Sequence, residues 1–274
     1  MLEGEPRFEV AGGSVSGRAH FLAGKPNQDA FLTLEKNGFV VGLVADGCGS
    51  GERSEVGAWL GVHTMANEIV SHKGADLENP TFWDRVEKAV ISTLDKTARS
   101  MGDLTEELVH RFFLFTVLGV VATNRQVAVF SLGDGVWAVN GKVNVIGPFP
   151  GNAPPYLGHA LLRSDRPLWG KLIVQDVLPA QKVESVLIAT DGAADWEDLR
   201  SRLLPGTREM VGPLSDVWQN DRYFSHPDAL RRKLARMNRV TTKPNWETRV
   251  LEREGGLLED DTTLWVMRRR QVRP

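Results

Sequence analysis

Residues 30–47 read AFLTLEK, then NG, then FVVGLVADG, and this stretch decides the fold. Asn37-Gly38 supplies the two positive-φ residues of a two-residue hairpin turn, so the flanking runs are consecutive antiparallel strands. FVVGLVA is apolar without alternation, as is ESVLIAT at 184–190, and such strands are covered on both faces. Working outward, Asn140-Gly141 repeats the hairpin signal between FSLGDGVWAV and KVNVI, and Asn124-Arg125 reads as a looser turn between LFTVLGVVAT and QVAVFSL. The pattern is a meander, not an alternation of strands and helices. Helices to cover it are also legible. Val56, Trp59, Leu60, Ala66, Ile69 and Val70 fall at helical spacing within Gly51–His72, and Phe82, Val86, Ala89 and Val90 do so after Asn79-Pro80, in a stretch running towards Met101. From Asp195 to about Val240 the chain reads as helical pieces broken at Pro205-Gly206, Gly212-Pro213 and Pro227, and 147–170 as a Pro- and Gly-rich surface excursion.

Composition removes several function classes. The 274 residues carry 33 Lys plus Arg against 35 acids, a net charge of −2, which excludes nucleic acid as the principal partner. The lone Cys48 precludes an internal disulfide, and MLEGEPRFEV lacks the basic-then-apolar start of a secretory signal, so a cytoplasmic location is expected. The longest nearly apolar run, Phe112–Ala122, is well short of the roughly 18 residues of a membrane span, and no membrane partner is expected.

The aspartates carry the chemistry. Asp46 ends FVVGLVA, Asp191 ends ESVLIAT, and Asp260-Asp261 precedes the apolar run TTLWVMR. Carboxylates gathered at rigid strand ends repel unless hard cations lie between them, and an all-oxygen set suits Mg²⁺ or Mn²⁺ rather than zinc. Any single Asp-Gly at a strand end is equally explained as turn chemistry. Counting tests the sharper alternatives at DGCGSGERS (46–54). A phosphate loop fails because Glu52 stands five after Gly47 with no Lys-Ser beyond it, and a dinucleotide fingerprint fails at Glu52 or Ser54. A cysteine phosphatase needs arginine six after Cys48, where Ser54 stands. The stretch opens a helix whose N–H groups either face an anion or are capped by Ser50.

Taken in order, Asn27-Gln28-Asp29, DGCGSG with Asp46-Gly47, LGDG with Asp134, IATDGAAD with Asp191 and Asp195, and DDTT at 260–263 resemble the motifs of the metal-dependent type 2C protein phosphatases, most closely their divergent bacterial branch. The resemblance implies an α+β, four-layer αββα sandwich, two mainly antiparallel sheets covered by helix pairs. It also implies one catalytic domain over 1–274 with a helical flap-like insertion at about 196–245. The implied activity is hydrolysis of phosphoserine or phosphothreonine on proteins by water activated between two Mg²⁺ or Mn²⁺ ions, on substrates shared with a Ser/Thr kinase.

By motif position, Asp46 bridges the ions, the Gly47 carbonyl ligates one, Asp191 and Asp260 hold them from their own strands, and Asp29 acts through water. Asp134 and Asp195 match a third metal position, while Thr116 and Thr263 match structural positions. Gln28 replaces the usual Glu, Cys48 the usual histidine, and Gly24 the phosphate-binding arginine, for which Lys25 or His20 is the expected substitute. These departures motivate the alternative of a catalytically impaired binding or regulatory module. His63 reads as a packed, hydrogen-bonded side chain. Arg231, Arg232, Lys233, Arg236 and Arg239 read as a solvated basic face or an attractor of a phosphorylated partner.

Overall fold

The structure is a computed structural model and describes residues 8–162 and 171–270. Strand β1 (Phe8–Val15) and a short helix α1 (Arg18–Ala23) lead into the hairpin β2 (Ala30–Lys36) and β3 (Phe39–Gly47). Helices α2 (Glu55–Ser71), α3 (Pro80–Met101) and α4 (Glu106–Phe112) follow, then strands β4 (Phe115–Ala122), β5 (Gln126–Leu132), β6 (Gly135–Val139), β7 (Lys142–Ile146), β8 (Ile173–Pro179) and β9 (Ser185–Ala189). The last third holds α5 (Trp196–Leu199), α6 (Asp216–Gln219), α7 (Ala229–Met237), the hairpin β10 (Thr241–Asn245) and β11 (Val250–Glu254), and the long strand β12 (Thr262–Arg269).

Two five-stranded antiparallel sheets result, ordered β1-β12-β9-β6-β7 and β2-β3-β4-β5-β8. Between them lies a core built from Val44, Leu118, Val120 and Val129 of one sheet and Val186, Ile188, Trp265 and Met267 of the other. The outer face of the β3 sheet packs Leu43, Val117 and Phe130 against Val62, Met65 and Ile69 of α2 and Trp83 and Val86 of α3. The outer face of the β9 sheet packs Leu187, Ala189 and Leu264 against Trp196, Val217, Leu230 and Leu234 of α5, α6 and α7. These are the four layers of the α+β sandwich implied by the motif order.

Local chemistry explains the elements. Asn37 and Gly38 have φ of 56° and 81°, and Asn140 and Gly141 have 49° and 83°, the left-handed pairs that both hairpins require. Helix α3 starts where Asn79 Oδ1 accepts the Thr81 N–H at 2.9 Å and Pro80 occupies the first turn.

Several expectations need correction. FSLGDGVWAV is not one strand: β5 and β6 belong to different sheets, and the chain crosses between them at Gly133 and Gly135, whose φ values of 92° and 141° only glycine adopts easily. Trp59 is 55% exposed and stacks on His63, and Val56 and Leu60 are half-buried, so Ala58, Val62 and Met65 join the expected Ala66, Ile69 and Val70 on the buried face of α2. Ser50 does not cap α2, because Ser54 precedes it and donates its Oγ hydrogen to the Cys48 carbonyl. The basic face of α7 is solvated at its arginines, as expected, but not at Lys233. Lys233 is buried and donates to Val211 O, Arg231 and Arg232 pair with Asp228, and Arg236 pairs with Glu209. The segment after β9 is short helices followed by a β-hairpin rather than helical to 245. Of the 147–170 excursion, residues to 162 form turns that bury Leu157, and 163–170 lie outside the described residues, as do 1–7 and 271–274.

Trp265 is the largest fully buried side chain among the described residues. Its Nε1 donates to Thr33 Oγ1 at 2.8 Å, and its ring lies on Gly42, where an added Cβ would come within 2.2 Å of ring carbon. Gly42→Ala is expected to destabilise the protein by about 1–3 kcal/mol, and Trp265→Ala by about 3–5 kcal/mol. Because both act through one contact, the double variant should lose less than the sum, read from urea unfolding midpoints.

Candidate active site

The two sheets deliver carboxylates to one end of the sandwich. Asp46 is the penultimate residue of β3 and is held in register with Thr116 of β4. Asp191 lies just beyond the end of β9, and Asp260 precedes β12. The ends of β9 and β12 are tied together, because the Thr190 N–H donates to Thr263 O at 3.0 Å and the Thr263 N–H to Thr190 Oγ1 at 3.0 Å. Thr190 Oγ1 in turn donates to Asp29 Oδ2 at 2.9 Å, drawing Asp29 in from the loop before β2. Thr263 Oγ1 is 2.7 Å from Ser14 Oγ of β1, consistent with its expected structural position.

Burial and neighbouring charge raise proton affinity within this group. Burial, followed by the charges of Asp29, Asp191 and Asp260, pushes the Asp46 carboxyl well above the usual carboxylate range. Asp29 is pushed up by burial first and then by the charges of Asp261 and Asp260, against the hydrogen bond from Thr190. Asp191 is raised by burial first, with Asp260 and Asp195 adding to it. Asp134, on the crossing between the sheets, is raised from 3.8 to about 6 by burial and by Asp191. Asp195 is exposed at the start of α5 and acts on the group as a nearby charge.

The carboxylates open onto a cleft of about 610 Å³ whose walls include Asp46, Asp134, Asp191, Asp260, Cys48 and Tyr156. Burial, then a hydrogen bond to Cys48 and the charges of Asp46 and Asp134, pushes the Tyr156 phenol up. Cys48 Sγ is 3.2 Å from Ser50 Oγ, which is 3.1 Å from His110 Nε2 of α4. Tyr156 and His110 carry no motif signal, and only the packing of the 147–162 loop and of α4 brings them beside Ser50 of the DGCGSG stretch.

Residues 16–237 match the sequence profile described as Protein phosphatase 2C. The chain belongs to this family. Among curated proteins none matches it in sequence. Solved structures resemble it over nearly their whole lengths. One is a bacterial serine phosphatase, at 13% identity, covering 97% of this chain and 100% of that one with a TM-score of 0.55. Another is the serine/threonine phosphatase Stp1 from Staphylococcus aureus, at 13% identity, covering 99% and 98% with a TM-score of 0.56. A third, PppA of Pseudomonas aeruginosa, described as a key regulatory component of T6SS, shares 19% identity, covering 97% and 99% with a TM-score of 0.51. At these identities the likeness establishes the fold.

Protein phosphatase 2C enzymes are metal-dependent, and this chain's donors fit a divalent cation. Asp29 Oδ1 and Asp191 Oδ1 are buried without a hydrogen-bond partner among the described residues, and clustered carboxylate oxygens are the donors that hard cations take. The residues at the family's departures are placed as follows. Gln28 is fully buried, donating Nε2–H to Gly51 O at 2.9 Å while its Oε1 has no partner among the described residues. Lys25 is exposed and donates Nζ–H to Gly49 O at 2.7 Å. His20 is buried, with Nδ1 2.6 Å from Asp261 Oδ2. His63 bonds Trp59 O, away from the cleft. No helix among the described residues is long and apolar enough to cross a membrane.

A carboxyl whose value rises on folding favours the fold in its protonated form. In chelator, the Asp134 contribution to stability is therefore complete below 3.8 and is lost as the pH rises through about 6. The melting temperature of chelated protein is expected to fall across that window, Asp134→Asn to flatten the fall, and Mn²⁺ to raise the neutral-pH value most, all measured by thermal denaturation with and without the ion.

Proposed function

We propose that this chain is a divalent-metal-dependent protein serine/threonine phosphatase, a single catalytic domain over 1–274 in which the 196–245 segment is an insertion. The observation that carries the reading is the convergence of Asp46 from one sheet with Asp191 and Asp260 from the other on a single cleft, with proton affinity raised at Asp46 and Asp191. By family position Asp46, Asp191, Asp260 and the Gly47 carbonyl would hold two Mg²⁺ or Mn²⁺ ions, with Asp29 through water and Asp134 and Asp195 at a third position. Such ions supply Lewis acidity to phosphoryl oxygens and make water a competent nucleophile near neutral pH.

The chain's own groups do the rest. The Thr190 hydroxyl fixes the rotamer of Asp29, and the β9–β12 hydrogen bonds fix the spacing of Asp191 from Asp260. The cleft, walled by Tyr156 and the 151–154 loop, suits a phosphorylated side chain presented on a protein surface, with a kinase acting on the same substrates. No nucleophile–base pair is required of the side chains, which agrees with Cys48 lying against a hydroxyl rather than an imidazole.

A second reading, a phosphatase-like regulatory module, is favoured by Gln28 and Cys48 at positions where the family has Glu and His. It leaves unexplained why the fold holds mutually repelling carboxylates together.

Hydrolysis of a phosphothreonine peptide should require Mn²⁺ or Mg²⁺. Asp46→Asn and Asp191→Asn should each lower kcat/KM by about 100-fold or more, with Cys48→Ser losing far less. Mn²⁺ binding without turnover of any phosphopeptide would favour the module, and metal-independent turnover abolished by Cys48→Ser would make the protein a cysteine phosphatase.

A further inference from the structure

The group His20, Asp260 and Asp261 offers three ligand atoms within 4.8 Å of one another, and its internal arrangement is not that of a simple acidic cluster. Asp261 is almost fully buried and its oxygens are committed: Oδ1 accepts the Gly17 N–H at 2.7 Å, and Oδ2 accepts the Gln28 N–H at 2.6 Å and contacts His20 Nδ1 at 2.6 Å. A carboxylate only accepts, so the Nδ1 position carries the hydrogen, and Nε2 is the nitrogen that offers a lone pair to an ion. Oriented this way, and only 9% exposed, His20 aims Nε2 at Asp260 Oδ1, 3.8 Å away and beyond hydrogen-bond reach. Asp260 is the more open member, with its side chain 58% exposed.

A ring nitrogen with no hydrogen bond among the described residues, on a buried imidazole fixed by a carboxylate behind it and facing a second carboxylate, is the arrangement that metal-binding histidines adopt. Two donors about 2.1 Å from one ion lie between about 3.0 Å apart at right angles and about 4.2 Å apart when opposite, and the observed separation falls inside that interval.

We propose that His20 Nε2 is a nitrogen ligand to the ion held by Asp260, with Asp261 as the carboxylate that orients it. The inference rests on the metal-dependent reading above and adds a nitrogen donor to its carboxylates. An imidazole in an otherwise oxygen set shifts preference from Mg²⁺ towards Mn²⁺ and the later first-row ions. It also assigns His20 to the metal rather than to the substrate phosphate.

Pulsed electron paramagnetic resonance of the Mn²⁺-loaded full-length protein tests this directly, through the ¹⁴N modulation that a coordinated imidazole imposes on the ion. The modulation is expected in wild type, lost in His20→Gln and His20→Ala, and retained in His110→Gln. Calorimetric titration should show Mn²⁺ affinity falling about 10–100-fold in Asp261→Asn, the range for loss of a ligand-orienting partner. In His20→Gln, Mn²⁺ affinity should fall by more than Mg²⁺ affinity, whereas a purely structural histidine would move both alike. Tight, Asp260-dependent Mn²⁺ binding without ¹⁴N modulation would overturn the His20 assignment and leave the phosphatase reading standing. Absence of Mn²⁺ binding to wild type would overturn both. Modulation that survives in both His20 variants would place the nitrogen elsewhere and overturn the assignment even if one variant folds poorly.

Discussion

Repulsion between clustered carboxylates is the constraint on which the rest of this structure depends. Burial first, and then the charges of their neighbours, raise proton affinity at Asp29, Asp46 and Asp191. Two like charges 4 Å apart at an effective dielectric of 20 repel by about 4 kcal/mol. Carboxylates on free loops would relax such a repulsion by moving apart. Here Asp46 lies in β3, Asp191 and Asp260 lie within two residues of the ends of β9 and β12, and Asp29 is tied to Thr190, while those three strands are buried along nearly their whole lengths in sheets with apolar cores on both faces. The sandwich is therefore a clamp. The face-to-face core around Trp265 and Ile188 sets the distance between the sheets, and with it the distance between Asp46 and its partners from the other sheet.

Asp260 and Asp261 show how one residue step separates chemistry from architecture. In extended chain, successive side chains point to opposite sides. Asp260 faces the cleft, while Asp261 turns inward and gathers two backbone N–H groups and an imidazole. Those contacts join the start of α1, the loop before β2 and the entry to β12, bringing residues near 17 and 28 to a partner more than 200 positions away in sequence. Gly17 is part of the same joint, since a Cβ there would come within 2.2 Å of the Asp260 backbone. A buried carboxylate is acceptable here because every acceptor oxygen has a donor, which is the condition that Asp29 Oδ1 and Asp191 Oδ1 fail.

The parts of this fold legible in the sequence are those with a local cause. Asn-Gly at 37–38 and 140–141 dictates its own backbone, Asn79-Pro80 starts a helix, and Asp46 and Asp191 announce themselves by closing apolar runs. The motif order then supplies the four-layer architecture, which no local signal contains. What is illegible has a non-local cause. FSLGDGVWAV looks continuous because a chain crossing between sheets stays buried throughout, so hydrophobicity does not change at Gly133. Trp59 falls at an acceptable helical position, yet Gly57 and Gly61 take the inner face, because the α2 backbone packs directly on Phe113 and Phe115. Lys233 reads as one more surface charge, but its ammonium reaches the Val211 carbonyl with the stem buried along α7. The pairing of His20 with Asp261 spans most of the chain, and no spacing rule reaches that far.

The substituted positions form one mechanical unit rather than separate losses. The loop Cys48–Gly51 carries two carbonyls that point back toward residues 25–28: Gly49 O accepts from Lys25 Nζ, and Gly51 O from Gln28 Nε2. A glutamate at 28 has no hydrogen to donate, so it would set an anion against the Gly51 carbonyl in a fully buried place. The amide is thus what this loop conformation requires, and its remaining oxygen, Oε1, is buried without a hydrogen-bond partner among the described residues. With the loop so held, Cys48 lies against Ser50 and Tyr156 in the cleft wall, and the imidazole of His110 stands one hydroxyl removed. His20 approaches from another side, beside Gly49 and Asp260. Two imidazoles, each anchored by a different helix, thus flank this loop, which the Gln28 amide and the Lys25 ammonium hold in place.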